Sequence, residues 1–304
     1  MHAWEAIAKT LEIIEERIDE DIPIEELAET AALSLFYYQR LFTLLVKKPV
    51  REYIKLRRLA RATEALRNEN KKIIDIALTY GFTSHEVFTR AFRVSYGMTP
   101  KEYKKSNIRL NSFSKPDLFI RHTMIDVGVP LISDGLVLVI NRKRLEKPVT
   151  FMGIEAYVPI NAQFPVGQAT GVDVPGETWE RYWQLEKQIP RITNGRRIGV
   201  AYHGKAPEGC FPYFTGSEVD AKTKPGKDTK TWTLPAAEYL VCYFEAENFE
   251  DLVTMAVLKG FNYVGLWQEQ KGLKPGDFGA EIYYEDTERE DFAYMEIWTP
   301  WIED

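Results

Sequence analysis

The sequence has little of what disulfide-stabilised, metal-binding or membrane-spanning proteins need. It contains 2 cysteines and 4 histidines among its 304 residues, and the histidines lie too far apart in the chain to suggest a metal site. The longest aliphatic run, residues 136–140, is far shorter than the ~20 residues that cross a bilayer. Residues 1–5 lack the basic and apolar regions of a secretory signal. From these absences we expect a cytoplasmic protein with no metal site and no membrane partner.

Motifs of common enzyme classes are also absent. The chain has no HExxH metalloprotease motif, no CxxC pair, no GxSxG nucleophile elbow and no Walker A phosphate loop. We therefore expect no enzymatic activity and no cofactor. What remains is an ordinary globular composition, with 45% hydrophobic and 28% charged residues, and a length of 304 residues that favours two domains.

The net charge of −6 is a sum over unlike segments. Residues 1–29 carry a net charge of −8, residues 30–107 carry +10, and residues 108–304 carry −8. A basic block inside an acidic chain is typical of a module that binds a polyanion such as nucleic acid. The alternative is a basic helical surface that has no partner.

An internal repeat lies largely within the basic block. Residues 27–34 reappear as residues 76–83, with an offset of 49. Each copy predicts a helix-turn-helix, because a short helix is followed by a turn and by a serine N-cap, Ser34 or Ser84, that begins a second helix. Residues 50–67 predict a connecting helix of ~27 Å, close to the ~34 Å between two recognition helices one DNA turn apart.

The apolar pattern of the second helices leaves one face of each pointing outward. The side chains expected on those faces are Phe36, Gln39 and Arg40 in the first copy and His85, Glu86 and Arg90 in the second. Arginine suits guanine and glutamine suits adenine in the major groove, although either arginine could instead bind phosphate or pair with a carboxylate of the domain. Glu86 could accept a hydrogen bond from cytosine or merely complement its helix dipole, and His85 could be an ordinary surface residue.

The second copy carries a family resemblance. The matching residues are Ile76, Ala77, Gly81, Phe82, Ser84, Phe88, Arg90, Phe92, Gly97, Thr99, Pro100 and Tyr103. On these residues, the all-α segment 1–107 resembles the DNA-binding domain of AraC-type transcription regulators. The resemblance implies that the second helix of each copy enters a major groove of double-stranded DNA, which gives the six outward side chains base-facing roles. The first copy departs from the pattern, with Lys47 where the family has glycine and Pro49 one position early.

Beyond residue 107 the helical period stops. Residues 108–135, with scattered glycine and proline, are expected to form a linker. Residues 136–304 are strand-rich, with a first strand at about 136–145. The elements that follow repeat one order, namely strand 150–159, helix 177–188, strand 197–204 and strand 211–219, then strand 237–246, helix 249–268, strand 280–285 and strand 292–299. We therefore predict a multidomain chain whose second domain is α+β and contains two β-α-β-β units.

Short motifs in this half resemble the GyrI-like effector-binding domain. They lie at residues 234–239, 278–283 and 296–300. The resemblance spans about residues 146–304 and implies that Glu281, rather than Glu296, is a pocket carboxylate. A carboxylate among aromatic rings suits a hydrophobic cation, because the rings supply cation–π contact and the anion supplies Coulomb attraction. The ring candidates are Tyr202, Trp267, Tyr283 and Trp298, although an aromatic residue on a strand or helix is more often part of the core.

The two resemblances together imply a bacterial transcription regulator that senses a small, cationic or amphipathic aromatic effector. The regulator could be an activator or a repressor, and the ligand is expected to change either the affinity for DNA or the contact with RNA polymerase. One alternative is a hydrolase of reactive small molecules in which Glu281 acts as acid or base. Another is a ligand-binding protein whose DNA-binding half is vestigial, against which the basic block and the intact second copy both count.

Overall fold

A computed structural model describes residues 2–68, 71–123, 126–164, 166–289 and 292–303. The chain divides into two compact units. The first contains residues 1–123 together with a short inserted segment, Ala162–Val172, and the second contains residues 124–161 and 173–304. Among the described helices, none is long and apolar enough to cross a membrane.

The elements are numbered in chain order. The α-helices are α1 (Ala3–Glu16), α2 (Ile24–Thr30), α3 (Leu35–Val46), α4 (Val50–Asn68), α5 (Ile73–Thr79), α6 (His85–Tyr96), α7 (Pro100–Lys105), α8 (Leu118–His122), α9 (Ile160–Gln163), α10 (Val174–Leu185), α11 (Phe249–Asp251) and α12 (Val257–Lys271). The strands are β1 (Leu110–Asn111), β2 (Leu131–Ser133), β3 (Leu136–Arg144), β4 (Val149–Pro159), β5 (Gly171–Val172), β6 (Arg197–Tyr202), β7 (Cys210–Val219), β8 (Lys230–Leu234), β9 (Glu238–Ala246), β10 (Phe278–Tyr283) and β11 (Ala293–Pro300). A π-helical turn, Leu252–Ala256, joins α11 to α12.

The first unit contains two helix-turn-helix modules connected by α4. In both modules a serine caps the second helix: Ser34 Oγ accepts a hydrogen bond from the backbone N–H of Tyr37, and Ser84 Oγ accepts one from Val87. The N-terminal half of α4 packs into the core of the first module and its C-terminal half into the core of the second. The connecting helix therefore links two separate apolar cores rather than belonging to one.

The turns of the two modules have the same backbone conformation despite different residues. Ala32 and Gly81 both adopt positive φ, at 55° and 71°, and so do the helix C-caps Lys47 and Gly97, at 63° and 76°. Side chains with a Cβ are strained in this left-handed region, whereas glycine is not. The first module thus keeps the geometry of the second without its glycines.

We expect Lys47→Gly to stabilise the first unit by about 0.5 kcal/mol. Relief of the left-handed strain, ~1–2 kcal/mol, outweighs the ~0.5–1 kcal/mol that glycine's greater freedom in the unfolded chain costs. Urea unfolding followed by helical circular dichroism measures the effect. Lys48→Gly is the control, because Lys48 is not among the positive-φ residues, and it should destabilise the unit. Equal loss of stability in both variants would contradict the prediction.

Part of the segment expected to be a linker is folded. Phe113 and Leu118 are buried in the core of the first module. Between them in sequence, Ser114 donates hydrogen bonds from its backbone N–H and its hydroxyl to the carbonyl of Gly167 in the inserted segment. Residues 108–123 therefore belong to the first unit, and only from about residue 124 does the chain belong to the second. The few apolar residues of this segment follow neither a helical nor a strand period, because they pack against surfaces formed by other parts of the chain.

The second unit is built on a nine-stranded antiparallel sheet with the strand order β2-β3-β9-β11-β10-β6-β7-β4-β8. Helix α10 packs on β4 and β7, and α12 packs on β9 and β11. Cross-strand register places both helices on one face, the face that carries Gly199 and Glu281. The opposite face holds an apolar core with many aromatic rings, including Phe151, Phe214 and Trp298.

Candidate functional sites

All six side chains expected to face DNA are exposed. Phe36, Gln39 and Arg40 lie on α3, and His85, Glu86 and Arg90 lie on α6. Phe36 is 68% exposed and forms an edge-to-face pair with the ring of Tyr37, which is 56% exposed, with centroids 5.5 Å apart. An apolar ring held at the start of an exposed helix can contact the methyl group of thymine. Sequence reasoning did not single out Tyr37.

The two repeated arginines are free to meet an anion. Neither Arg40 nor Arg90 forms an ion pair with any carboxylate of the described residues. The alternative that they pair inside the domain therefore has no support in this geometry. Glu86 differs: hydrogen bonds from its own backbone N–H and from Ser84 hold the pKa of its carboxyl below the usual range. It is ionised at neutral pH, next to the N-terminus of α6.

Four arginines of α4 have partners within the first unit, one of them Arg61, whose Nη2 lies 3.7 Å from Glu15 Oε2. Arg57 forms a buried ion pair with Glu15 of α1, 2.7 Å between Nη2 and Oε2. Arg58 and Arg67 donate to backbone carbonyls, those of Ile18 and Ile108. A part of the basic block therefore holds the fold together, and the charge available to a polyanion is smaller than the sequence total.

Glu281 lies at the centre of the large sheet, on β10, directly opposite Gly199 of β6. Its Oε2 accepts hydrogen bonds from the hydroxyls of Tyr283, at 2.9 Å, and Tyr213, at 3.3 Å. The indole N–H of Trp179, on α10, donates to Tyr213 Oη at 2.9 Å. We call these five residues the Glu281 pocket.

Gly199 provides the space that the carboxylate occupies. A Cβ at this position would stand 2.3 Å from Tyr213 Oη and 2.8 Å from Glu281 Oε2. Any other residue would therefore displace one of the two polar groups. The glycine is needed for a close approach of side chains and not for a left-handed backbone.

Burial raises the pKa of Glu281 to about 7. The negative charge of Asp173 raises this pKa further, whereas the hydrogen bonds from Tyr283 and Tyr213 lower it. Near neutral pH the carboxyl is therefore present in both protonation states. A bound cation would favour the ionised state, so that cation binding would release a proton.

Aromatic rings surround the carboxylate. Trp179 lies edge-to-face with Tyr283, at 5.2 Å between centroids, and stacks on Trp183 of the same helix at 5.4 Å. Trp183 is 45% exposed, and the guanidinium of Arg197 lies 5.3 Å from its ring. The rings thus extend from the buried acid toward the surface, an arrangement that can accommodate a flat apolar molecule with a positive charge.

Of the aromatic residues proposed from sequence, the structure brings only Tyr283 to Glu281. Trp298 is paired with Ala280, so its side chain lies on the opposite face of the sheet, and Tyr202 lies on that face as well, donating to Glu155. Trp267 of α12 is buried against Trp301. Alternation along β10 places Glu281 and Tyr283 on one face, but the register between strands decides which other rings reach them.

Glu296 is a second buried carboxylate, on the face opposite Glu281. It is ion-paired with Lys143 and accepts hydrogen bonds from Tyr284 Oη and Trp298 Nε1. A carboxylate with three donors is already satisfied. Of these two carboxylates, Glu281 is the one with neutral hydroxyls as partners and no cationic partner among the described residues.

Sequence reasoning missed Trp179, Tyr213 and Gly199. Trp179 and Trp183 are four residues apart, a spacing that puts both rings on one helix face and could have been noticed. Nothing in the sequence aligns Gly199 with Glu281, because the two residues are more than eighty positions apart. Across the described residues, no group of three or more histidine, cysteine or acidic side chains could hold a metal ion.

Comparison with known families and proteins gives two matches along the chain. The family model described as a helix-turn-helix domain matches residues 27–106, and the model of the GyrI-like small molecule binding domain matches residues 142–301. The second match covers more than half of the chain.

Three curated relatives match the N-terminal part. The chain is 40% identical over 112 residues to the uncharacterized HTH-type transcriptional regulator YbfP of Bacillus subtilis, covering 37% of this chain and 38% of the relative. It is 35% identical over 104 residues to the regulatory protein SoxS of Salmonella typhimurium, covering 34% of this chain and 97% of that protein. It is 32% identical over 114 residues to the right origin-binding protein of Escherichia coli, covering 34% of this chain and 39% of the relative.

The two family matches fall largely on different units of the structure, although the GyrI-like match, residues 142–301, also includes the inserted segment of the first unit. The relatives match about a third of the chain, and the chain spans 38% of the length of the Bacillus protein. The helix-turn-helix match falls on α2 to α7, and the GyrI-like match falls on the large sheet with its two helices. This chain therefore belongs to the AraC-type helix-turn-helix proteins that carry a GyrI-like small molecule binding domain.

Proposed function

We propose that the protein is a transcription regulator that binds double-stranded DNA through α3 and α6 and responds to a small hydrophobic cation in the Glu281 pocket. The observation that carries the DNA half is the repeated arginine. Arg40 and Arg90 occupy equivalent, exposed places on two serine-capped helices, and neither pairs with a carboxylate of the described chain. Each module thus presents an exposed arginine at the same helix position. Two such modules joined by one helix suit contact with two segments along one face of the DNA.

We expect Arg40→Ala and Arg90→Ala each to weaken binding to a selected DNA site by about 1–3 kcal/mol, because each removes one base or phosphate contact. The site is obtained by selection from a random pool with the full chain, and affinity is measured by fluorescence anisotropy. Affinity should also fall steeply as salt rises. Arg144→Ala is the control, since Arg144 is 68% exposed and lies in the second unit. An affinity for DNA that is unchanged by both substitutions and by salt would contradict DNA recognition.

The effector half of the proposal rests on Glu281. The carboxyl is partly buried, has tyrosine hydroxyls but no cation as partners, and lies beside the stacked rings of Trp179 and Trp183. A ligand with a delocalised positive charge and flat apolar rings would supply the missing cation. Tyr213, Tyr283 and Trp179 replace the rings of Tyr202, Trp267 and Trp298 as the proposed contacts.

We further propose that the second unit consists of two related β-α-β-β halves. The first half contains β4, α10, β6 and β7 in this order, with α9 and β5 between β4 and α10. The second contains β9, α12, β10 and β11 in this order, with α11 and the π-helical turn before α12. Both halves pair the first strand with the last and the last with the middle one, and the two middle strands, β6 and β10, pair with each other. The Glu281 pocket lies at this junction. For the chain as a whole, we propose a DNA-binding domain of residues 1–123 and an effector domain from about residue 124.

We propose that the protein is not an enzyme. The three relatives named above are regulators or DNA-binding proteins by name, and the hydrolase alternative has no support among the comparisons. A regulator that binds DNA acts in the cytoplasm, and a contact of its DNA-bound form with RNA polymerase is part of the proposal. Turnover of an ester or epoxide that disappears in Glu281→Gln would instead establish the hydrolase.

A further inference from the structure

The inserted segment, Ala162–Val172, is a part of the first unit that lies within the sequence of the second. The chain leaves the second unit after Asn161 and returns to it at Asp173. In between, the segment is attached to the helix-turn-helix unit by side-chain and backbone hydrogen bonds. The two units are thus joined by the chain at this segment as well as at residues 123–124.

The attachment of the inserted segment is specific. β5 pairs with β1 in antiparallel register, Leu110 opposite Val172 and Asn111 opposite Gly171. Asn111 Nδ2 donates to the carbonyl of Ala162 at 2.8 Å, so one amide side chain holds the beginning of the segment next to its end. The backbone N–H and the hydroxyl of Ser114 both donate to the carbonyl of Gly167, each at 2.8 Å.

One contact of the segment reaches a DNA-facing helix. The hydroxyl of Thr170 donates to the carbonyl of Ser95, at 2.6 Å, and β5 packs against α6. Ser95 lies in the last turn of α6, where carbonyl groups have no partner within the helix. Thr170 therefore caps the C-terminus of the helix that carries Arg90 at its exposed face.

At its C-terminal end, the inserted segment continues directly into the helix that carries Trp179 of the Glu281 pocket. Asp173 follows Val172 directly and caps α10, its Oδ1 accepting a hydrogen bond from the N–H of Gly176 at 3.0 Å. Six residues further along the same helix, Trp179 holds Tyr213, which donates to Glu281. Trp179 therefore lies on a helix whose N-cap, Asp173, is bonded through the main chain to the last residue of β5.

Two glycines with positive φ shape the backbone of the segment near Thr170. Gly171 has a φ of +142°, a conformation that side chains with a Cβ rarely adopt, and Gly167 has a φ of +74°. Both glycines flank Thr170 within the inserted segment.

We infer that the inserted segment couples occupancy of the Glu281 pocket to the placement of α6, with Thr170 as the positioning residue. The inference rests on the proposed function, because it names how the ligand site regulates the DNA site. It requires that the two sites share a coupling free energy, which is tested by perturbing one end and measuring the other.

The test is a double-mutant cycle in the full chain. Gly199→Ala perturbs the pocket by placing a methyl group against Tyr213 and Glu281. Thr170→Val removes the hydroxyl that reaches Ser95 without changing the size of the side chain. Thr254→Val is the matched control, because its hydroxyl bonds only to its own helix, at the carbonyl of Glu250.

We expect Gly199→Ala to change the Kd for a selected DNA site at least ~5-fold, which is a typical allosteric effect. In the Thr170→Val background the ratio of the Kd values with and without Gly199→Ala should approach one. In the Thr254→Val background the ratio should stay as large as in the unsubstituted chain. Hydrogen exchange of the C-terminal turn of α6 should respond in the same pattern. If Gly199→Ala does not fold, Tyr213→Phe perturbs the pocket by removing one hydroxyl.

Two results would overturn the coupling. In one, pocket substitutions change DNA affinity and α6 exchange as much with Thr170→Val as without it, which means that the signal travels elsewhere. In the other, neither pocket substitution changes either quantity. Loss of DNA binding by every protein, the unsubstituted chain included, would refute the proposed function instead, and the exchange of α6 would still decide the coupling.

Discussion

Glu281→Gln is expected to make the effector domain more stable at pH 8 than the unsubstituted domain by up to about 3 kcal/mol, and equally stable at pH 4. The pKa of Glu281 is about 7 in the folded protein against 4.5 for an unperturbed glutamate, and each pKa unit corresponds to ~1.4 kcal/mol. Because the folded state holds the proton more tightly, stability falls as pH rises from about 4.5 to about 7 and is constant above.

The glutamine keeps the shape of the side chain and its acceptor oxygen for the hydroxyls of Tyr213 and Tyr283, while it removes the buried charge. Thermal unfolding of both proteins between pH 4 and pH 9 checks the prediction, with the difference in Tm plotted against pH. A difference in Tm that does not change with pH would show that Glu281 does not titrate in this range.

The same substitution should abolish the site's preference for cations. With tetraphenylphosphonium as a probe, affinity for the unsubstituted protein should rise with pH up to about 7 and then level off, because the probe binds the ionised carboxylate. Glu281→Gln should bind at least ~10-fold more weakly at pH 8 and without the pH dependence. Glu296→Gln is the control, since Glu296 lies on the other face of the sheet and is already paired with Lys143. Equal affinities in all three proteins would remove Glu281 from its role.

Arg57→Ala is expected to destabilise the DNA-binding unit by about 3–5 kcal/mol, since it leaves a buried carboxylate without its main partner. Arg57 and Glu15 have side chains only 9% and 12% exposed. Two guanidinium nitrogens bond to the two oxygens of Glu15, and a third bonds to the carbonyl of Phe113. The substitution therefore detaches α1 and the segment after residue 107 from α4 at once.

The pH dependence of this loss has a definite sign. Burial alone would raise the pKa of Glu15, but the hydrogen bonds and the charge of Arg57 outweigh it and lower the pKa below 4.5. The ion pair thus stabilises the unit above about pH 4.5, and its contribution is lost as pH falls through the lowered pKa. The difference between Arg57→Ala and the unsubstituted protein should shrink in acid.

Urea unfolding followed by helical circular dichroism measures the effect of Arg57→Ala. The control is Arg61→Ala, because Arg61 lies 3.7 Å from the same carboxylate but is 41% exposed, and its loss should cost at most ~1 kcal/mol. Equal losses in the two variants would show that burial does not set the strength of the ion pair.

Local features of the helical unit could be read from the sequence because they depend on neighbours along the chain. The serine N-caps of α3 and α6 are formed as the repeat predicts, and the six outward side chains are exposed. The roles of the α4 arginines could not be read in this way. Arg57 bonds to Glu15, forty-two positions earlier, and nothing in the local pattern separates it from an arginine that is free to bind phosphate.

The Glu281 pocket likewise has some features that the sequence predicts and others that depend on the tertiary structure. Alternation along β10 places Glu281 and Tyr283 on one face, and the GyrI-like resemblance selects Glu281. The remaining contacts come from α10 and β7, and they depend on a register between strands that are distant in sequence. A shift of one residue in that register would exchange the two faces, and so Tyr202 and Trp298 lie away from the acid while Tyr213 reaches it.

The sequence by itself therefore determined the two families and the duplicated helix-turn-helix, and by resemblance it selected Glu281 as the proposed acidic residue of the pocket. It did so through repeats, caps and short motifs, which act over a few residues. The tertiary structure alone decided that residues 108–123 fold onto the first unit, that Gly199 faces Glu281, and that Thr170 caps α6. Each of these is a contact between segments far apart in the chain, whose energy depends on packing and cross-strand register rather than on any local preference.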